Sequence, residues 1–146
     1  MPTDNLEPAV AKAVERWAVA LRENDIEAHL ACFAPDVRIT DAAEIFNAAD
    51  RDILRTSLTS WYEQFEHDGL EVHTCFSGSG RTAVQWRLSG QARTNNGEAT
   101  RDAVVGAHFS ILGLNVFRYS ADMRISELGA YGDTALLRRQ ISRSTR

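Results

Sequence analysis

One acidic side chain in this sequence is expected to point into an apolar interior. Asp41 ends the alternating run 37–41 and therefore shares a strand face with Val37 and Ile39. A carboxylate on such a face is costly unless it is neutralised or partnered, and a carboxylate placed this way can serve as a general acid or base. The alternative is that Asp41 caps backbone amides where the strand ends, as Asp often does in turns.

Trp17 and Asn115 are candidate donors of hydrogen bonds to a substrate oxygen. Trp17 lies on the apolar stripe of a predicted helix, and a buried indole N–H usually has a partner. Asn115 alternates in phase with Phe109, Ile111 and Phe117, so its amide is predicted to point inward and to need protein, water or ligand as a partner. Core packing is the alternative interpretation of Trp17.

The four histidines are competing candidates for an acid/base role. His29 and His67 are expected on exposed helix faces. His108 has the opposite strand parity to Asn115 and is expected on the outer face of a sheet unless a bulge intervenes. For His73, the sequence does not decide which face of the sheet the side chain occupies.

No residue pattern indicates a cofactor or a metal. The His, Cys and carboxylate spacing fits no metal site, and no Gly-rich loop joins a strand to a helix as phosphate or dinucleotide binding requires. Cys32 and Cys75 are too few for a disulfide framework and are expected as core thiols. The sequence therefore predicts chemistry without a cofactor.

Length and composition favour one soluble cytoplasmic domain spanning 1–146. The chain has 146 residues, of which 44% are hydrophobic and 25% charged, with a net charge of −4. A nucleic-acid binder would show a basic stripe, and the arginines at 138–146 are expected to be a solvated helix end. No apolar run approaches the ~20 residues that span a bilayer, and the polar start, residues 1–7, does not resemble a signal peptide.

Helices in the first half and strands in the second predict an α+β fold. The predicted helices are 5–23, 26–33 and 49–68, with a last short helix after Asp133. The predicted strands are 37–41, 70–76, 81–93, 101–119 and 123–131. Glycines at 90, 106 and 113 suggest bulges or bends that would curl the sheet, so we expect a curved, largely antiparallel sheet that is closed by the helices and leaves a concave apolar cavity. The aromatic residues expected to line it are Phe33, Trp61, Tyr62, Phe65, Trp86, Phe109, Phe117 and Tyr131.

Three segments resemble the nuclear transport factor 2-like superfamily. They are the helix-turn-helix-strand run 13–41, the strand 115–119 and the segment 124–133. Their order is similar to that of ketosteroid isomerases, SnoaL-like polyketide cyclases and small epoxide hydrolases. The resemblance covers nearly all of the chain except 95–101, and it implies the cone-shaped fold, which hosts several enzyme classes as well as binding modules.

The resemblance assigns roles to particular positions. Asp41 falls on the general-base aspartate of ketosteroid isomerases. Trp17 replaces their oxyanion-hole tyrosine, and Asn115 replaces their protonated aspartate, which is also the acid/base position of SnoaL-like cyclases. Ala130 occupies the late aspartate position of the epoxide hydrolases, so that chemistry is disfavoured.

These features together predict a cofactor-independent isomerase or cyclase for a hydrophobic, carbonyl-bearing small molecule. Asp41 would move a proton while Trp17 and Asn115 bind the oxygen. The resemblance implies a polyketide or other secondary-metabolite intermediate as substrate, and a homodimer formed through the outer face of the sheet. The alternatives are a non-catalytic small-molecule-binding or interaction domain and, third, a dehydratase, which would need a pocket histidine beside the aspartate.

Overall fold

The structure is a computed structural model that describes Thr3 and residues 5–143. The helices are α1 (Pro8–Arg22), α2 (Ile26–Ala31), α3 (Arg51–Gln64) and α4 (Thr134–Ile141). The strands are β1 (Phe33–Asp41), β2 (Phe65–Gly78), β3 (Arg81–Ala92), β4 (His108–Tyr119) and β5 (Ile125–Gly132). The elements confirm the predicted order of helices followed by strands.

The strands form one curved five-stranded sheet in the order β1-β5-β4-β3-β2. β1 runs parallel to β5 and the other neighbours are antiparallel, so the sheet is mixed. The first three helices pack on one another and on β1 and β2, whereas α4 packs on β4. This arrangement confirms the predicted α+β cone and places the core between the helices and the inner face of the sheet.

Side chains alternate between the two faces along β4. Phe109, Ile111, Asn115 and Phe117 are buried on the inner face, as predicted from their parity. On the outer face, Leu112 and Leu114 are exposed beside Tyr131 of β5, which pairs with Leu114. We call Leu112, Leu114 and Tyr131 the outer apolar patch.

Two predicted helices extend too far along the chain. α2 ends at Ala31, and Phe33 begins β1, so Pro35 lies within an edge strand and does not end the helix. α3 ends at Gln64, and Phe65 begins β2 instead of continuing the helix to 68. Asp25 and Asp133 cap the starts of α2 and α4, because their carboxylates accept the amides of Ala28 and Leu136.

The glycines allow close approach of neighbouring groups. The pairing of β3 with β4 is regular through Gly90 and Gly113, so neither glycine forms a bulge between these two strands. The irregularities lie in β2, after His67, which pairs with Gly90, and after Val72. A Cβ atom at Gly90 would overlap the carbonyl oxygen of Glu66. The predicted strand from 101 begins only at 108, after a loop in which Gly106 has a φ of +86°.

Within the described part of the chain, no helix has the length and apolar character needed to cross a membrane.

Candidate active site

A cavity lies between the helices and the inner face of the sheet. Its volume is about 820 Å³ with its mouth included, and about 110 Å³ of this is available to the centre of a water molecule. The half-buried lining residues Phe46, Ala130, Gly132 and Thr134 mark the mouth. The remaining lining is mostly apolar, so a few polar groups determine what the cavity can bind.

All three predicted catalytic residues line this cavity. Trp17 reaches it from α1, Asp41 from the end of β1 and Asn115 from β4. Each is buried, and Trp17 also packs edge-to-face on Phe117 with 5.4 Å between ring centroids. The structure therefore brings the three residues into one site, while their catalytic roles stay predictions.

The predicted substrate-binding aromatics divide into two groups. Phe33, Trp61 and Trp86 line the cavity. The other five lie off its lining: Phe65, Phe109 and Phe117 are buried in the core, Tyr62 lies behind His29, and Tyr131 is 52% exposed on the outer face. Tyr131 faces outward because Leu128 and Ala130 occupy the inward positions of β5. The structure therefore places these five off the cavity lining, Tyr131 because of strand parity, and their part in substrate binding stays a prediction.

The strand register places Asp41 and Asn115 on either side of a small residue. Asp41 pairs with Ala130 across β1 and β5, and Asn115 pairs with the same Ala130 across β4 and β5. Because Asp41 and Asn115 are separated by one strand, their Cα atoms lie about 10 Å apart. The short side chain of Ala130 leaves room for a ligand between the carboxylate and the amide.

The Asp41 carboxylate caps the loop that follows it, which we call the Asp41 loop (residues 42–47). Oδ1 accepts the amide of Ala43 at 2.9 Å, and Oδ2 accepts those of Ile45 at 3.1 Å and Phe46 at 3.0 Å. The loop places Phe46 over the cavity, edge-to-face with Trp61 at 5.3 Å. The capping role foreseen as the alternative is thus present, and it leaves one lone pair of Oδ1 uncommitted.

Two buried polar atoms on the cavity lining lack partners. The indole Nε1 of Trp86 and the side-chain Oδ1 of Asn115 have no hydrogen-bond partner among the described residues. The indole of Trp86 lies across Gly113 and reaches Gly132, and a Cβ atom at Gly113 would overlap the ring. Since Gly113 and Asn115 are neighbours on one face of β4, the indole and the amide lie side by side. Such unpaired groups are expected to bind water or ligand.

His29 also lines the cavity, although an exposed position was predicted. It is buried on α2, and its Nδ1 lies 3.0 Å from the hydroxyl oxygen of Tyr62 on α3. Burial, followed by the nearby His67, lowers the pKa of His29 to about 3. The ring is therefore neutral at ordinary pH. The signal in the sequence was its spacing of one helical turn from Ile26, which lies half-buried on the same side of α2.

His67 is buried as well, and its predicted exposed position is wrong. It lies in β2, where Nδ1 donates to the Leu21 carbonyl at 3.0 Å and Nε2 accepts the indole N–H of Trp61 at 2.9 Å. Burial is the main cause that lowers the pKa of His67. Both ring nitrogens of His67 are hydrogen-bonded, so His67 fixes the orientation of Trp61, which lines the cavity.

The other candidates stay outside the cavity. His108 is on the outer face with an exposed side chain, as predicted, and His73 is bonded at 3.1 Å to the exposed carboxylate of Glu71. Cys32 and Cys75 are buried free thiols, as expected. Among Thr3 and residues 5–143, no three His, Cys, Asp or Glu side chains are grouped so that they could hold a metal ion.

Comparisons with known proteins agree with this geometry. Residues 14–128 match the model of the SnoaL-like domain. Among solved structures, a protein from Xanthomonas campestris pv. campestris, provisionally named a polyketide cyclase, has a TM-score of 0.77 at 19% identity, with 92% of this chain and 97% of that chain covered. One from Pseudomonas putida KT2440 with the same provisional name has a TM-score of 0.76 at 15% identity, covering 93% and 99%.

A third solved structure, a hypothetical protein with a ketosteroid isomerase-like fold from Catenulispora acidiphila, has a TM-score of 0.69 at 14% identity, covering 89% of this chain and 92% of that one. No curated protein matches the sequence. Identities this low establish a shared fold only, whereas the family model covers most of the chain. The protein therefore belongs to the SnoaL-like domain family, on the nuclear transport factor 2-like fold.

Proposed function

We propose that this protein is a cofactor-independent isomerase or cyclase that acts on a hydrophobic, carbonyl-bearing small molecule. A polyketide or other secondary-metabolite intermediate is the proposed substrate class. Asp41 is the proposed general acid/base. The observation that carries the proposal is the inner row Asp41, Ala130 and Asn115, which places a carboxylate and an amide on either side of a free space in an apolar cavity.

The proposed reaction needs only proton movement next to a carbonyl group. The free lone pair of Asp41 Oδ1 accepts a proton from the carbon beside the carbonyl, and the developing negative charge moves to the carbonyl oxygen. The same carboxyl group then returns the proton to another carbon, which completes an isomerisation. For ring closure, the carbanion attacks a second carbonyl carbon of the same molecule, the π bond of that carbonyl opens to an alkoxide, and the alkoxide takes back the proton from Asp41.

Asn115 and Trp86 offer complementary partners to the reacting oxygen. The indole N–H of Trp86 can donate to a developing enolate oxygen, and an enol hydroxyl can donate to Asn115 Oδ1. Trp17 is the further indole donor predicted for this oxygen. These neutral groups act in a cavity with little water, where a hydrogen bond is electrostatically stronger than in solution. They favour a reaction in which the charge is spread over a conjugated system.

Isomerisation of 3-cyclohexen-1-one tests the proposal. The wild-type protein is expected to convert this probe to the conjugated enone, which absorbs in the ultraviolet, and to add deuterium at the exchanging carbons in D2O. Asp41→Asn is expected to lower the rate at least about 10²-fold, and Asn115→Leu about 10²-fold. Asp50→Asn is the matched control, because the Asp50 side chain accepts the Ile53 amide at the start of α3 and lies off the cavity lining.

The outcomes separate the proposal from its rival. If wild type exchanges no deuterium above buffer, or if folded Asp41→Asn keeps the wild-type rate, Asp41 is not the base. A protein that binds the probe without turning it over would instead be the non-catalytic ligand-binding domain, which the enclosed cavity also supports.

A dehydratase is the third candidate, favoured by the finding that His29 lines the cavity with Asp41. The two residues lie toward opposite ends of β1, however. His29 packs on Phe33, whose partner Ile125 is five residues before Ala130, the partner of Asp41, which corresponds to about 16 Å along β5. A dehydratase would show a change in the His29 resonances when a β-hydroxyketone is eliminated, and an unchanged ring would exclude it.

A further inference from the structure

We propose that His29 forms a second polar subsite, in which its neutral Nε2–H binds an acceptor oxygen at the end of the cavity remote from Asp41. This inference rests on the proposed function only in taking the cavity as the ligand site. It requires no turnover and holds equally for a binding protein. The subsite is not part of the catalytic set Asp41, Asn115 and Trp17.

The hydrogen bond between His29 and Tyr62 determines which ring nitrogen carries the proton. The His29 ring is the only hydrogen-bond partner that the described residues give the Tyr62 hydroxyl. A phenol is a good donor and a poor acceptor, whereas an unprotonated imidazole nitrogen is a good acceptor. The hydroxyl therefore donates to Nδ1 at 3.0 Å, and the ring hydrogen resides on Nε2.

The environment keeps this ring neutral and available. Tyr62 on α3 and His67 on β2 are the titratable groups around it, and Phe33 on β1 covers a ring edge at 5.7 Å between centroids. Burial also raises the pKa of the Tyr62 phenol well above its usual value, so the hydroxyl keeps its proton. No hydrogen bond to Nε2 is made by the residues that the structure describes. A neutral imidazole N–H of this kind can polarise a carbonyl oxygen.

The second subsite narrows the chemistry of the ligand. A purely hydrocarbon end would exclude water from the Nε2–H without offering an acceptor, and leaving a desolvated donor unpaired costs more than a hydrogen bond gains. The cavity between His29 and Asn115 is lined by apolar side chains such as Leu54, Leu58 and Leu88. The ligand class is therefore an aromatic or alicyclic compound that carries a carbonyl or ether oxygen at its buried end, in addition to the reacting carbonyl near Asp41.

Nitrogen NMR of the wild-type protein tests the tautomer without any ligand. Long-range 1H–15N spectra are expected to show His29 with a protonated Nε2 and an unprotonated Nδ1, unchanged between pH 5 and 8. In Tyr62→Phe the donor to Nδ1 is lost, so a mixture of tautomers is expected. A ring with its hydrogen on Nδ1, or one that titrates near its ordinary pKa, would overturn the proposal.

A matched pair of probes tests the subsite itself. Acetophenone and ethylbenzene have the same ring and similar size, but only acetophenone has an acceptor oxygen. Wild type is expected to bind acetophenone about threefold to tenfold more tightly, the range of one hydrogen bond. His29→Phe keeps an aromatic ring without the N–H and should reduce this preference to about one, whereas His29→Gln keeps a donor and should retain part of it.

The probe affinities and the enone isomerisation together test the His29 subsite separately from the proposed reaction. Binding of neither probe, or a preference that survives in His29→Phe and disappears in Asn115→Leu, would overturn the His29 subsite. If His29→Phe does not fold, the wild-type spectra and His29→Gln still decide the question. Failure of enone isomerisation with the His29 preference intact would reject only the catalytic role of Asp41.

Discussion

Asp41→Asn is expected to destabilise the protein as well as to impair catalysis. The carboxylate accepts three backbone amides, two on Oδ2 and one on Oδ1. An asparagine side chain has a single acceptor oxygen. If that oxygen keeps the amides of Ile45 and Phe46, its NH2 group faces the amide of Ala43, and two donors then oppose each other.

The expected loss follows from the type of hydrogen bond. A bond to a charged acceptor contributes about 1.5–3 kcal/mol and a neutral one about 0.5–1.5 kcal/mol, so two bonds weaken and a third is lost. Several residues of the Asp41 loop are half-buried, and water can reach part of the loop. We therefore expect a loss of about 2–3 kcal/mol in the free energy of unfolding, which lowers Tm by about 5–10 °C for a chain of this size.

Chemical denaturation monitored by tryptophan fluorescence measures this loss. Phe46 packs on Trp61, so loosening the Asp41 loop should also change the native-state fluorescence. Asp50→Asn is the control, because its side chain accepts one amide at a helix start, where Asn and Asp are nearly equivalent. If Asp41→Asn is no less stable than Asp50→Asn, the inferred loop-capping role is wrong.

Three further predictions address packing, pH and assembly. Gly113→Ala should cost about 1–3 kcal/mol by displacing Trp86, whereas Gly78→Ala, where a Cβ meets nothing within 4 Å, should change the denaturation midpoint little. Because His29 has a pKa of about 3 when folded and an ordinary one when unfolded, stability should fall by about 1.4 kcal/mol per pH unit below pH ~6.5, and His29→Gln should flatten this slope in acid denaturation series. The expected homodimer should become monomeric in Leu114→Arg, within the outer apolar patch; a wild-type monomer in sedimentation at micromolar concentration would contradict it.

Strand periodicity was enough to predict that Asp41 and Asn115 point into the interior. The alternation along 37–41 placed Asp41 inward, and the alternation along β4 did the same for Asn115. Both predictions succeeded because side-chain direction in a strand depends only on local parity. The same parity correctly placed His108 on the outer face.

Helix ends were harder to predict, and they decide the position of His67. The apolar spacing that ends at Phe65 fits a helix. The sequence therefore predicts a helix that continues to 68 with His67 on its solvent side. In the structure the chain turns into β2 at Phe65, and strand parity then buries Phe65 and His67 together. The Glu66 backbone lies against Gly90 of β3, a contact between distant parts of the sequence.

The remaining misses depend on non-local partners. A buried neutral His29 is stable because Tyr62, 33 residues away, occupies its Nδ1. The sequence suggests a bulge or bend at Gly113, whereas in the structure this glycine makes room for the indole of Trp86 on the neighbouring strand. Neither contact can be read from the residues next to His29 or Gly113 in the sequence, because those residues are the same whichever distant side chain packs there.

The capping role of Asp41 and its proposed acid/base role are compatible because the two oxygen atoms accept different numbers of amides. Oδ2 holds Ile45 and Phe46, so a proton arriving there would displace two amides and loosen the part of the Asp41 loop that covers the cavity. Oδ1 holds only the amide of Ala43 and keeps a second lone pair, so it can take a proton while Phe46 remains in place. Oδ1 is therefore the atom expected to exchange protons with substrate. The amide contacts that restrain the loop also orient the carboxylate before the substrate arrives, which lowers the reorganisation that proton transfer requires.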